Sequence, residues 1–82
     1  MEEKIRGVLA DYGKLPVDAT TIDLDDDLYS LGLTSHASVN VMLGLEDAFD
    51  VEFPDALLRK DTFQSIASIT DALRRISDAA AV

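Results

Sequence analysis

Residues 32–36 (Gly-Leu-Thr-Ser-His) place a serine hydroxyl directly beside the single histidine of the chain. A nucleophile with its base is one interpretation, but successive residues on a helix project about 100° apart, so His36 is poorly oriented toward Ser35. The surrounding residues also lack the Gly-x-Ser-x-Gly pattern of a hydrolase nucleophile, because Ala37 stands where that pattern requires glycine. We therefore expect an exposed His36 with no acid–base role and a serine that is not a hydrolase nucleophile.

A second candidate for chemistry is the acidic run around Asp23, Asp25 and Asp27, which imitates the first three ligand positions of a calcium-binding loop. The sixth position of such a loop requires glycine and the twelfth glutamate, and here they are Leu28 and Thr34. An EF-hand is excluded. These acids are expected to be solvent-facing charges.

The charge distribution points to protein partners. The chain has 16 acidic and 7 basic residues, a net charge of −9, and ten of the acids lie between Leu15 and Leu58, where no lysine or arginine occurs. Such a field repels nucleic acid and attracts basic protein surfaces, and we expect the side that bears Ser35 to be strongly negative. The absence of cysteine excludes disulfides and thiolate metal sites. No apolar run is long enough for a membrane span or a signal peptide, which predicts a cytoplasmic protein.

The elements that position Ser35 follow from hydrophobic periodicity. With 82 residues the chain is predicted to be a single domain over 1–82. Apolar residues at helical spacing predict a first helix over 2–12, which Gly13 can terminate. Residues 14–34 have no helical period, but apolar side chains recur along them and can pin this long loop across the core. These are Leu15, Val17, Ile22, Leu24, Leu28, Leu31 and Leu33.

The strongest helical pattern covers 35–50, with Ser35 as the expected N-cap. Its predicted core stripe consists of Ser38, Val41, Met42, Leu45 and Phe49. This leaves His36, Val39 and Leu43 on a flank that is either a docking site or is packed under the long loop.

The last third of the chain predicts a short helix over 55–60, with Asp55 able to cap it, and then a final helix that Asp61 or Thr62 caps. Residues 78–82 are expected to fray. The predicted fold is all-α: an up-and-down four-helix bundle with a long loop between helices 1 and 2 and a short helix 3.

Residues 27–35 (Asp-Leu-Tyr-Ser-Leu-Gly-Leu-Thr-Ser), the helix over 39–45 and residues 45–55 together resemble the acyl carrier protein family over essentially the whole chain. The resemblance implies a non-enzymatic four-helix carrier. Its serine at the start of helix 2, here Ser35, receives covalent 4′-phosphopantetheine from coenzyme A through a phosphopantetheinyl transferase. The arm then holds an acyl or aminoacyl group as a thioester, and partner enzymes dock on helix 2. The docking residues predicted on this basis are Thr34, His36, Val39, Asn40, Leu43 and Asp47.

The family's usual Asp-Ser-Leu is replaced here by Thr34-Ser35-His36. This segment is most similar to the stand-alone bacterial carriers that receive amino acids from small ligases similar to class II aminoacyl-tRNA synthetases. The expected partners are therefore a transferase, an aminoacyl or acyl ligase and a downstream acyl-accepting enzyme, all acting on a monomer without nucleic acid or membrane. A carrier for fatty-acid, polyketide or nonribosomal peptide synthesis is the alternative, as is an acidic interaction module without a prosthetic group.

Overall fold

The computed structural model describes residues 2–80. Within that range the chain is all-helical and has no strand. The α-helices are α1 (Glu2–Tyr12), α2 (Ser35–Phe49) and α3 (Ile66–Ala80), and short 3₁₀ turns occupy Ala19–Thr21, Asp55–Leu57 and Lys60–Phe63. The predicted all-α class is confirmed for these residues. Helix α3 extends through Ala80, so residues 78–80 of the segment expected to fray are helical, and the rest of that segment, 81–82, lies outside the described residues.

Helix α1 has the predicted bounds, and its apolar face enters the core. Ile5 and Leu9 are completely buried and Val8 is nearly so. The helix ends where the Gly13 N–H donates to the Leu9 carbonyl at 2.8 Å. A Cβ at Gly13 would lie 2.7 Å from that same oxygen, so the close approach that ends α1 requires glycine.

Helix α2 ends one residue before the predicted limit, because Asp50 adopts the left-handed conformation (φ 53°, ψ 53°) of a helix C-cap. Its buried residues are Ala37, Val41, Gly44 and Leu45. The predicted stripe is therefore correct at Val41 and Leu45, whereas Ser38, Met42 and Phe49 are half-buried. The core face is rotated toward the small residues Ala37 and Gly44, and at Gly44 the side chains of Val8 and Tyr12 of α1 approach α2 closely.

The long loop is held against the helices by hydrogen bonds as well as by apolar side chains. Arg6 of α1 donates through Nη1 to the carbonyls of Ala19 (2.6 Å) and Ile22 (2.7 Å). Farther along, the Leu28 N–H donates to the Gln64 carbonyl at 2.7 Å. Of the seven apolar residues expected to pin the loop, Ile22, Leu28 and Leu33 are buried, Leu15 and Leu31 are partly buried, and Val17 and Leu24 are exposed.

In place of the short helix predicted over 55–60, the chain forms two 3₁₀ turns, the first of which begins at the predicted residue, Asp55. Neither Pro54 nor Arg59, which precede the two turns, makes a side-chain capping bond. Helix α3 begins later than expected, and Ser65 caps it by accepting the Ser68 N–H at 3.1 Å. Within residues 2–80 the bundle thus consists of three α-helices, so the four-helix description is not confirmed.

Candidate functional site

Ser35 is the first residue of α2, and the expectation that it caps the helix is wrong. The cap is Thr34, whose backbone is extended (φ −92°, ψ 163°) and whose Oγ1 accepts the Ala37 N–H at 3.0 Å. Both residues carry a hydroxyl suited to capping, but only one of them can occupy the extended position that precedes the helix. The Ser35 side chain is therefore not needed to cap α2.

A tight turn sets the position of this helix start. Gly32 has φ +119°, which favours glycine, and a Cβ there would lie 3.0 Å from Pro16 Cδ. The following residue, Leu33, is buried, and its N–H donates to the Leu28 carbonyl at 2.9 Å. With Leu33 fixed in the core, the chain emerges at Thr34 and presents Ser35 to solvent.

The Ser35 hydroxyl is exposed and makes no hydrogen bond to any residue in the part of the chain described here. The carbonyl of the same residue accepts the Ser38 hydroxyl at 2.7 Å. The amides of Ser35 and His36 have no acceptor among residues 2–80, as is usual for the first N–H groups of a helix. An anion attached to Ser35 would therefore meet free N–H donors at the positive end of the α2 dipole. These features fit a phosphate ester of this serine.

Ser35 opens onto a groove of about 340 Å³ between α2 and residues 58–63. One wall is the face of α2, and the other is the segment that folds back before α3. The lining residues are Tyr29, Ser35, Ser38, Val39, Met42, Leu58, Arg59, Lys60 and Phe63. A chain tethered at Ser35 could lie along this groove, because most of its lining surface is apolar.

Tyr29 joins the loop to the far wall of the groove. Its hydroxyl donates to the Lys60 carbonyl at 3.2 Å, and the Lys60 Nζ lies 4.9 Å from the centroid of the Tyr29 ring. Burial is the main reason that the pKa of Tyr29 is raised above its ordinary value; the nearby Ser38 hydroxyl opposes this rise, and the charges of Asp27 and Asp61 add to it. The neutral phenol therefore persists at physiological pH and holds the segment around Lys60 in place.

The side that bears Ser35 is expected to be strongly negative, but two bases line this groove. Arg59 and Lys60 are the first bases after the base-free span, and the fold returns them to the groove that Ser35 also lines. Sequence reasoning missed both residues and Tyr29 as parts of the site. The only available signal was their place directly after that span, since their return to α2 depends on tertiary structure.

The six predicted docking residues lie along or just before α2. Thr34, His36, Val39, Leu43 and Asp47 are exposed, and Asn40 is half-buried. Val39 and Leu43 expose 51% and 53% of their surface, so the alternative that they pack under the long loop is wrong. Beside Leu43 is an acidic depression of about 540 Å³ formed with Glu46, Asp47, Asp50, Val51 and Glu52.

The acidic run of the long loop serves local structure. Asp26 accepts the Asp23 N–H at 3.0 Å, and Asp27 accepts the Tyr29 N–H at 3.0 Å. Among the described residues, no group of three or more acidic or histidine side chains is arranged to hold a metal ion. The helices of this range also include none that is long and apolar enough to cross a membrane.

Comparison with known proteins gives one consistent result. Residues 3–73 match the family model described as "Phosphopantetheine attachment site". The aminoacyl carrier protein of Agrobacterium fabrum (strain C58) is 50% identical over 78 residues, which cover 95% of this chain and 94% of that protein.

Solved structures agree with this. A chain in the crystal structure of an engineered Bradyrhizobium japonicum glycine:[carrier protein] ligase complexed with a carrier protein from Agrobacterium tumefaciens and AMP superposes with a TM-score of 0.88 at 50% identity. The match covers 90% of this chain and 99% of that one. A chain in the crystal structure of the B. japonicum glycine:[carrier protein] ligase complexed with glycylated carrier protein gives a TM-score of 0.74 at 28% identity, and the match covers 87% of this chain and 95% of that one.

Proposed function

The chain belongs to the phosphopantetheine attachment family, and on this premise we propose that Ser35 carries 4′-phosphopantetheine and that the chain delivers an amino acid. The family is one of carriers and is not itself catalytic. When attached, the prosthetic group supplies a thiol, which holds the amino acid as a thioester. The proposed carrier acts as one domain over residues 1–82 and as a monomer.

The observation that carries the proposal is that the Ser35 hydroxyl is exposed and unused at the start of α2. Thr34 performs the capping, so modification of Ser35 would not remove a bond that stabilises the helix. The free amides of Ser35 and His36 would face the phosphate, and the field of α2 favours negative charge at that end. Attachment is thus supported by geometry as well as by family.

We further propose that α2 is the docking face for the enzyme that loads the carrier. His36, Asn40, Leu43 and Asp47 recur at the spacing of one helical face, and Val39 lies beside them. Exposed apolar side chains next to acids fit a transient interface with a basic partner. In the similar solved structures the partner is a glycine:[carrier protein] ligase, which supports a stand-alone ligase similar to class II aminoacyl-tRNA synthetases as the partner here.

Two further enzymes are proposed to act on the carrier. A phosphopantetheinyl transferase installs the arm, and a downstream enzyme accepts the amino acid. Both act in the cytoplasm, where coenzyme A and ATP are supplied. The two 3₁₀ turns between Asp55 and Phe63 take the place of the short third helix of a four-helix carrier.

Intact mass spectrometry tests the attachment. Incubation of the apo protein with coenzyme A and a broad-specificity transferase should add the mass of one phosphopantetheine. Ser35→Ala should abolish this gain, whereas Ser38→Ala, which removes a hydroxyl one turn away in the same groove, should retain it. Failure of the wild-type protein to gain mass with several transferases would refute the proposal.

The cargo and the docking face are tested by loading. The holo protein should accept an amino acid from ATP and a co-encoded ligase, and charging only with malonyl or fatty acyl groups would favour the alternative carrier pathways instead. Leu43→Asp should slow loading because it places a charge where the partner is proposed to pack. Leu24→Asp is the matched control, because Leu24 is similarly exposed (44%) but lies on the long loop. Equal effects of the two substitutions would contradict the assignment of α2 as the docking face.

A further inference from the structure

The groove beside Ser35 has one cationic wall. Lys60 Nζ lies over the Tyr29 ring and makes no ion pair with the described carboxylates. Arg59, its neighbour, lies 3.8 Å from the Asp61 carboxylate in a contact that is largely exposed to solvent. Asp61 lines the adjacent depression and not this groove. The charged side chains that line the groove are therefore both bases. The carboxylates of Asp27 and Asp61 lie outside the lining, although their charges act on the Tyr29 phenol.

The other walls are apolar or weakly polar. Val39, Met42, Leu58 and Phe63 contribute hydrocarbon surface, and Ser38 contributes a hydroxyl already used in a bond to the Ser35 carbonyl. None of these groups can neutralise an ammonium ion. A cationic group entering the groove would lose water, meet no carboxylate among the lining side chains and approach Lys60.

We propose that Lys60, assisted by Arg59, makes this groove select by charge among the groups tethered at Ser35. The ammonium of an α-aminoacyl group is kept out, and neutral or anionic acyl groups are admitted. This inference rests on the proposed function, because it requires the arm on Ser35. It implies that the aminoacyl end stays in solvent, where the loading and accepting enzymes reach it without first opening the groove.

The sign of the charge separates this mechanism from simple desolvation. Burial in an apolar groove disfavours an ammonium and a carboxylate alike, whereas the field of Lys60 disfavours the first and favours the second. Glycyl, propionyl and malonyl groups form a suitable series. Glycyl and propionyl have nearly the same shape and differ by an ammonium in place of a methyl group, and malonyl carries a carboxylate.

The experiment loads the ¹⁵N-labelled apo protein with these three groups from coenzyme A analogues in which an amide replaces the labile thioester. Intact mass verifies attachment at Ser35, and the amide shifts of Met42 and Phe63 are compared with those of the protein bearing the unloaded arm. Propionyl and malonyl should move both signals. Glycyl should occupy the groove about tenfold less, which corresponds to about 1.4 kcal/mol, and should leave the two signals nearly unmoved.

Charge substitutions then test the role of the two bases. Combined Lys60→Gln and Arg59→Gln should make the malonyl and glycyl shifts similar, and the Tyr29 bond to the backbone carbonyl of residue 60 is retained. The control, Lys14→Gln with Arg74→Gln, changes the net charge equally at exposed sites outside the groove and should preserve the difference.

Two results would overturn the inference while leaving the proposed function intact. One is a wild-type protein in which glycyl moves Met42 and Phe63 as far as propionyl does. The other is a malonyl–glycyl difference that survives in the Lys60 and Arg59 double variant. Failure of any arm to attach at Ser35, seen by mass before the cargoes are compared, would overturn the proposed function and this inference together.

Discussion

Because Thr34 caps α2 and Ser35 is the proposed attachment site, single substitutions should change stability and modification separately. Thr34 Oγ1 accepts the Ala37 N–H at 3.0 Å, and loss of such a cap costs about 1 kcal/mol. The Thr34 side chain is exposed, so little apolar burial is lost with it. Ser35→Ala removes a hydroxyl that has no partner among the described residues, and alanine is a better helix former, so the free energy of unfolding should change by less than about 0.5 kcal/mol.

Urea and thermal unfolding followed by circular dichroism measure the stability of each variant relative to the wild-type protein. For a domain of this size, 1 kcal/mol corresponds to a shift in Tm of about 4–8 °C. Thr34→Ala should show this loss and still accept phosphopantetheine, whereas Ser35→Ala should keep its Tm and accept none. Thr34→Asp should recover the stability, because aspartate caps a helix well and its charge is favoured at the N-terminus.

The outcome that would refute this reasoning is a Ser35→Ala variant as destabilised as Thr34→Ala. It would mean that the serine hydroxyl stabilises the helix start after all, and that its modification must disturb α2. A Thr34→Ala variant with unchanged Tm would equally show that the Oγ1 bond contributes nothing.

Arg6→Met should destabilise the fold by about 2–4 kcal/mol in urea titrations, because two charge-assisted hydrogen bonds to the long loop are lost, and Arg6→Lys should lose less. The pKa of Asp18 is lowered by hydrogen bonds from the Thr20 N–H and hydroxyl. The ionised carboxylate therefore stabilises the fold fully above about pH 3.9, the ordinary pKa of aspartate, and this stabilisation is lost as pH falls through the lower folded pKa. Asp18→Asn should flatten this part of a stability–pH curve. Gly44→Ala should lower stability by about 1 kcal/mol, since a Cβ would lie 2.6 Å from the Tyr12 ring and the clash exceeds the gain in helix propensity; a smaller residue at Tyr12 should reduce the loss. Added salt should raise Tm by screening the crowded acids, and a flat response would show that these charges do not repel one another appreciably.

The sequence predicted those parts of the fold in which the spacing of apolar residues fits only one type of secondary structure. Residues 2–12 combine a clear apolar stripe with Gly13, and both ends of α1 are as expected. The pattern after residue 54 is ambiguous, because an interval of three residues, such as Phe63 to Ile66, fits a 3₁₀ turn and an α-helix equally well. The boundary is set by the Ser65 cap and by hydrogen bonds to the long loop, which are tertiary features.

At two places in the site, the sequence pattern alone could not predict which residue takes part. Thr34 and Ser35 are adjacent and equally suited to capping, so composition alone cannot choose between them. The choice is made by the Gly32 turn and by burial of Leu33, which together fix where the chain leaves the core. Arg59 lies 24 residues beyond Ser35 along the chain, and counting charges along the sequence cannot show that it returns to line the same groove.

The electrostatics of the carrier therefore act on two length scales. The net charge of −9 and the acidic depression at the C-terminal end of α2 attract basic partners over about 10 Å, the Debye length at 0.1 M salt. Lys60 lines the groove that Ser35 also lines, so its proposed action is on whatever is tethered at that serine. A partner that approaches α2 meets acids at one end and bases beside the groove at the other. The charge of this surface thus changes sign along α2. A partner with complementary charges would be oriented with its active site toward Ser35 before any apolar contact with Val39 or Leu43 forms.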